Sequence, residues 1–206
     1  MAKTYHISPR LRFEHPWLNR PDTKFNEDGL FHVKGIGAGD QVEKMKAVIQ
    51  AAAEAALAEH VQEMKPMEAK KWGLYVPMEE VEDDNGVATG ETKFDFKQNA
   101  KITLRDKTTK DIAIELRDAK DNIVDVPIFG GTEGRIMYTL RPIVMTSSKQ
   151  VGVRLDFFKV QVIKLAERKG GGAGFGAVDD EDAFVASEKD ASFGQGQADE
   201  EQAGDY

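Results

Sequence analysis

KFDFKQNAKITLR, residues 93–105, alternates apolar and polar side chains almost without a break. Successive side chains of a strand point to opposite faces. One strand is therefore expected here, with Phe94, Phe96, Ala100, Ile102 and Leu104 on one face. Lys97, Asn99, Lys101, Thr103 and Arg105 share the other, which becomes a cationic stripe interrupted only at its start, by Asp95. The period of two continues outward from this stretch, over Glu91 to Leu165. IAIELR turns Ile112, Ile114 and Leu116 inward; IVDVPI and the FGGTEG loop follow; RIMYTLRPIVM and VGVRLDFFKVQVIKL close the series across TSSKQ. Short strands joined by polar turns at this spacing indicate an antiparallel barrel or sandwich.

Upstream, strands are expected around Leu11–Leu18 and over Leu30–Ile36, where Phe31 and Val33 alternate with His32 and Lys34. Between these and the later strands the period becomes helical. Val42, Met45, Ile49, Ala52, Ala53, Ala56, Leu57 and Val61 recur on one side of AAAEAALAEH and its flanks, and Asp40 precedes Glu43 at capping-box spacing. One helix from about Gln41 to Met64 follows, ended by Pro66, with a looser stretch leading to the acidic turn EEVEDDNGVATG. The fold class is thus mainly β: an OB-fold (oligonucleotide/oligosaccharide-binding) five-stranded antiparallel barrel with one long inserted α-helix. Residues 1–169 form that domain, and 170–206 a Gly-rich linker with a disordered acidic C-terminal tail.

The 206 residues carry a net charge of −8, unevenly. Ten acids and one base fall in 170–206, leaving −9 there and +1 on the other 169 residues. Such asymmetry marks an interaction tail. With no cysteine there is no disulfide, thiol nucleophile or cysteine-based zinc site. The four histidines are scattered and no G-x-S-x-G elbow occurs, so no enzyme, metal or cofactor is expected. EEVEDD reads as a solvated turn, GGGAGFG as a hinge lacking the lysine of a P-loop, and FGGTEG as a loop needing positive φ. No apolar run suits a membrane span, and MAKTYHISPRLRF lacks the apolar core of a signal peptide.

The stripe of Lys97, Asn99, Lys101 and Arg105 is extended by Arg135 and Arg141 from RIMYTLR, Arg117 from IAIELR and Arg154 from VGVRLDF. Cations along a sheet, with rings for bases to stack on, suit a single-stranded polynucleotide. Trp17, Phe31 and Phe158 are the candidate rings. In the doublet Phe157–Phe158 one ring leaves the core face unless a bulge intervenes. Cations alone also fit an ordinary solvated sheet. The tail supplies the second argument: its acids, including Asp199, Glu200, Glu201 and Asp205, imitate phosphates, and Tyr206 imitates a base. On a flexible linker it competes for the groove at high effective concentration and, once released, engages a partner. A different class stays open: an acidic-tailed chaperone or scaffold that binds basic proteins and no DNA.

LRDKTTKDIAIELRDAKDNIVDVPIFGG, IMYTLRP and VGVRLDFFKVQVIKLAE, followed by a Gly-rich hinge and an acidic tail ending in an aromatic, resemble the replicative single-stranded DNA-binding proteins of short-tailed lytic bacteriophages. The resemblance covers Glu91–Leu165, with a fainter echo in LNRPDTKFNEDGLFHVKGI and the helix after it. It implies an OB fold and sequence-independent single-stranded DNA binding in replication, recombination and repair. It also implies a homodimer, and a tail that contacts the phage DNA polymerase and helicase-primase in the cytoplasm of the infected bacterial host. By position it assigns Lys97 and Lys101 to DNA and Asp205 and Tyr206 to the tail's contacts. Two features depart from the family: its tail tends to end in Phe rather than Tyr, and IVM follows TLRP where aromatic residues are expected.

Overall fold

Alternating side chains build a mainly β molecule around one core. The computed structural model describes residues 4–24, 26–104 and 106–167. By backbone contacts the chain divides into Met1–Arg168 and Lys169–Tyr206. The second unit lies outside the described residues, and with it Asp199, Glu200, Glu201, Asp205, Tyr206 and the expected linker and tail. Within the first unit, β1 (His6–Ile7), β2 (Leu11–Asp22) and β3 (Leu30–Gly37) precede α1 (Asp40–Val61) and the short α2 (Pro66–Ala69). Then come β4 (Gly73–Tyr75), β5 (Met78–Glu82), β6 (Ala88–Asn99), β7 (Lys101–Thr103), β8 (Thr109–Asp111), β9 (Glu115–Arg117), β10 (Glu133–Met145) and β11 (Gln150–Lys164).

The pairings β10–β2, β2–β3, β3–β6, β6–β11 and β11–β10 close a ring of five strands. An all-antiparallel ring was expected, and the structure corrects this: β6 and β11 run parallel, with Leu155 opposite Phe96 and Asp156 opposite Lys97. The cause is parity, since directions cannot alternate all the way round a ring with an odd number of members. Inside, Phe13, Phe94, Phe96, Phe157, Ile136 and Leu155 are essentially sealed from solvent. Phe96 meets Tyr138 and Phe157 edge-on at 5.5 and 6.4 Å between centroids. Burying each phenylalanine contributes about 1.5–3 kcal/mol, so these rings dominate the core.

The helix begins and ends close to expectation and buries Val42, Met45, Ile49, Ala53 and Ala56. It packs against β10, β11 and β4. The capping box does not form. Gly39 is the N-cap, its carbonyl accepting from the amides of Val42 and Glu43, and no side chain caps the end. The Glu43 carboxylate instead takes Lys46 at 3.0 Å. Both acids remain in the first turn, where they face the positive end of the helix dipole.

Three further expectations are corrected. The acidic stretch is a hairpin rather than a turn: β5 pairs with β6, and only residues 83–87 turn. IVDVPI forms no strand. Its Val126 carbonyl and Ile128 amide are bound instead by the Asn19 side chain, at 2.8 and 3.0 Å. The stretch 94–105 is not one strand. At Ala100 the backbone amide donates to the Gly29 carbonyl and the carbonyl accepts from Ile112. That diverts the chain into β7, which pairs only with β8 in a separate ribbon. Leu104, expected inward, is 42% exposed. The FGGTEG loop does use positive φ, at Gly131 (φ 91°).

Candidate nucleic-acid interface

The outer face of the ring carries a row fixed by strand register. Trp17 on β2 lies opposite His32 on β3, His32 opposite Lys97 on β6, Lys97 opposite Asp156 on β11, and Asp156 opposite Thr139 on β10. Four inter-strand steps of about 4.8 Å make this row about 19 Å long around the ring. The neighbouring position adds Arg154 on β11 opposite Arg141 on β10. Arg154 donates through Nη1 to Asn99 Oδ1 at 3.1 Å and through Nε to Asp156, and Arg141 Nε meets the other Asp156 oxygen at 2.7 Å. Lys97 pairs with Asp95 at 2.5 Å. The fold therefore brings Lys97, Asn99, Arg141 and Arg154 together, each held by a neighbouring polar group.

Trp17 is half-buried with the Arg20 guanidinium 5.6 Å from its ring centroid, and His32 lies 6.1 Å away, ring to ring. An open cleft of about 700 Å³ runs beside it, bounded by Pro16, Arg20, Asp125, Pro127 and Phe129. His32 Nε2 sits 3.3 Å from Asp22 Oδ2. The Asp22 carboxyl is held below its ordinary value, first by the Lys24 amide donating to it and then by His32. Trp17 thus offers an accessible ring with the Arg20 guanidinium beside it, the combination on which a base stacks.

Other expected residues lie elsewhere. Arg117 and Arg135 sit at the far end of the β10–β11 ladder, about Gln161, which is opposite both. There Glu115 accepts from Arg117 Nε at 2.5 Å and from Lys159 Nζ at 2.9 Å, and Arg117 also reaches Asp121 at 3.0 Å. The Glu115 carboxyl is held below its ordinary value by Lys159 and then Arg117, and the Arg117 guanidinium is raised in turn. Lys101 belongs to the β7–β8 ribbon, 3.9 Å from Asp28, because the strand breaks at Ala100. Arg105 lies outside the described residues. Phe31 is corrected outright: only 4% exposed, it is part of the core and offers no face to a base.

Phe158 is resolved by a bulge. Met137 pairs with Lys159 and Tyr138 with Phe157, so Phe158 has no partner on β10. Phe157 stays inside, and Phe158 is half-buried against Tyr5, 5.2 Å between centroids. The bulge re-phases the strand, so Val160 and Val162 are buried and Lys159 joins the outer face with Arg154. Lys159 and Tyr5 were absent from the expected set. The doublet itself signals Lys159, since a bulge there shifts the alternation by one. No periodic pattern marks Tyr5.

No family model and no curated protein sequence matches the chain. Solved structures do. The crystal structure of gp2.5, a single-stranded DNA-binding protein encoded by bacteriophage T7, is 25% identical with a TM-score of 0.68, covering 90% of this chain and 100% of that one. The single-stranded DNA-binding protein of bacteriophage Enc34 is 12% identical with a TM-score of 0.53, covering 82% and 86%. The Enc34 protein in complex with single-stranded DNA matches with a TM-score of 0.52, again at 12% identity and over 81% and 89%. By fold, the chain is therefore similar to bacteriophage single-stranded DNA-binding proteins of known structure.

Proposed function

We propose that this chain binds single-stranded DNA without sequence preference, across the outer face of the strand ring. The observation that carries the reading is the register row from Trp17 through His32 and Lys97 to Arg154 and Arg141. It sets an accessible ring beside cations on contiguous strands. Phosphates take Lys97, Arg141 and Arg154, with Asn99 orienting Arg154; a base takes Trp17. The likeness to the T7 protein over its whole length supports this reading. In the same reading the ring is an OB-type barrel, no catalytic step is involved, and the protein acts as a homodimer in phage replication, recombination and repair within the infected host. Residues 170–206, with their excess of acids, compete with weakly held DNA and, when displaced, recruit the phage polymerase and helicase-primase.

Titration of single- and double-stranded oligonucleotides against the full chain and a 170–206 deletion tests this. The expected result is preference for single strands and tighter binding by the deletion at low salt, because a tethered competitor has gone. A deletion with no affinity for any oligonucleotide would leave an acidic-tailed scaffold for basic proteins as the better description.

A further inference from the structure

We propose that Tyr5 and Phe158 form a second base-stacking step on the outer face of the β10–β11 ladder, so that a bound strand turns along the ladder after crossing the ring. This rests on the single-strand reading above and extends it to residues outside the row. Tyr5 is 58% exposed and Phe158 half-buried, and their rings meet edge-on, inclined by 68°. Both are held in place. Ser8 exchanges hydrogen bonds with the Ile136 backbone, its amide donating to the carbonyl and its hydroxyl accepting from the amide, each at 2.9 Å, which anchors the short β1. Phe158 is fixed at the bulge between core residues Phe157 and Val160.

Cations stand on both sides of this pair. Arg154 and Arg141 lie toward one end of the ladder and Lys159 and Arg135 toward the other. Arg154 and Lys159, five residues apart, are separated by about 16 Å. Arg135 is exposed and makes no ion pair among the described residues. The adjoining cleft of about 110 Å³ is lined by Arg117, Arg135, Lys159 and Asp121, with Ile7 and Met137 as its apolar wall. Glu115 pairs with Arg117 and Lys159, so three cations stand there with two acids, and Arg135 is the one without an ion pair among the described residues. Exposed rings alone fit a protein partner as well as a base. An excess of cations around them selects a polyanion, and rings between phosphate-binding groups suit a single strand whose bases are unpaired.

The test uses the full chain and fluorescein-labelled oligo-dT of about 6 and about 16 nucleotides, lengths within the span of site sizes for such folds. Replacing both rings (Tyr5→Leu with Phe158→Leu) is expected to weaken the longer strand about tenfold, corresponding to about 1.4 kcal/mol, and to leave the shorter one unchanged. Phe158→Tyr, which keeps a ring, is expected to bind like the wild type. Irradiating the wild-type chain with a bromodeoxyuridine-substituted strand is expected to crosslink Tyr5 or Phe158, a readout independent of how the double variant folds. Crosslinks confined to other residues, or equal affinity of variant and wild type for the longer strand, would overturn the proposal. So would a variant that only changes the sedimentation of the free protein, since the patch would then join two copies of the chain. A wild-type chain that binds neither length would instead remove the single-strand reading itself.

Discussion

Asp156 restrains two guanidiniums at once, those of Arg141 and Arg154. Asp156→Asn releases both, so affinity for oligo-dT is expected to rise. The slope of log K against log salt should steepen by about 0.7 for each additional phosphate neutralised, which anisotropy titration at several salt concentrations measures. Lys97→Ala and Arg154→Ala are expected to weaken dT and mixed-sequence strands by similar factors, because phosphate contacts carry no base information. A loss limited to one composition would point to base readout. Acid acts on two other carboxylates. Glu115 and Asp22 are held below their ordinary carboxylate values when folded. The stability they bring is complete above the unfolded range near pH 4 and is lost as pH falls through the folded values. Unfolding followed against pH is expected to show a plateau above about pH 5 and a decline below it, smaller in Glu115→Gln. Which residues face outward on a given strand was legible in the alternation, as Arg135, Met137, Thr139 and Arg141 show. Which acid neutralises each cation was not, because Glu115 with Lys159 or Lys101 with Asp28 meet only through pairing between distant strands.

Strands and helix were readable to different depths. The helix declared itself through an apolar stripe of the right period, yet its cap depended on whether Gly39 or Asp40 took the N-cap position, a backbone matter that side-chain spacing does not settle. The break at Ala100 was hidden for the same reason: alternation continues through residues 93–105 while the hydrogen bonds change partners from β3 to Gly29 and Ile112. Phe31 is legible as a core residue from its alternation with His32, and its burial removes it from the stacking rings. At β11 the sequence admits little change. Gly152 lies against the Tyr75 carbonyl where β4 pairs in parallel, and a Cβ there would be driven into that oxygen. Gly152→Ala is expected to destabilise the chain by about 1–3 kcal/mol, read as a lower denaturant midpoint with an unchanged slope.

Across the whole molecule the charge is divided, with −9 on residues 170–206 and +1 on the rest. The ring supplies curvature and register, and the closure of five strands through one parallel seam places Lys97 beside Asp156 and so beside both arginines. An odd ring of five requires one parallel seam, but which two strands form it was not legible, because β6 and β11 are brought together by the fold and not by any segment. In the proposed function, binding is an exchange of counterions along this row of cations, with stacking added. Equilibrium titration of the full chain with oligo-dT over a range of salt concentrations tests this most directly. With about three phosphates neutralised by Lys97, Arg141 and Arg154, log K is expected to fall against log salt with a slope of about −2. An affinity that does not change with salt, or no measurable affinity for a single strand at low salt, would contradict it.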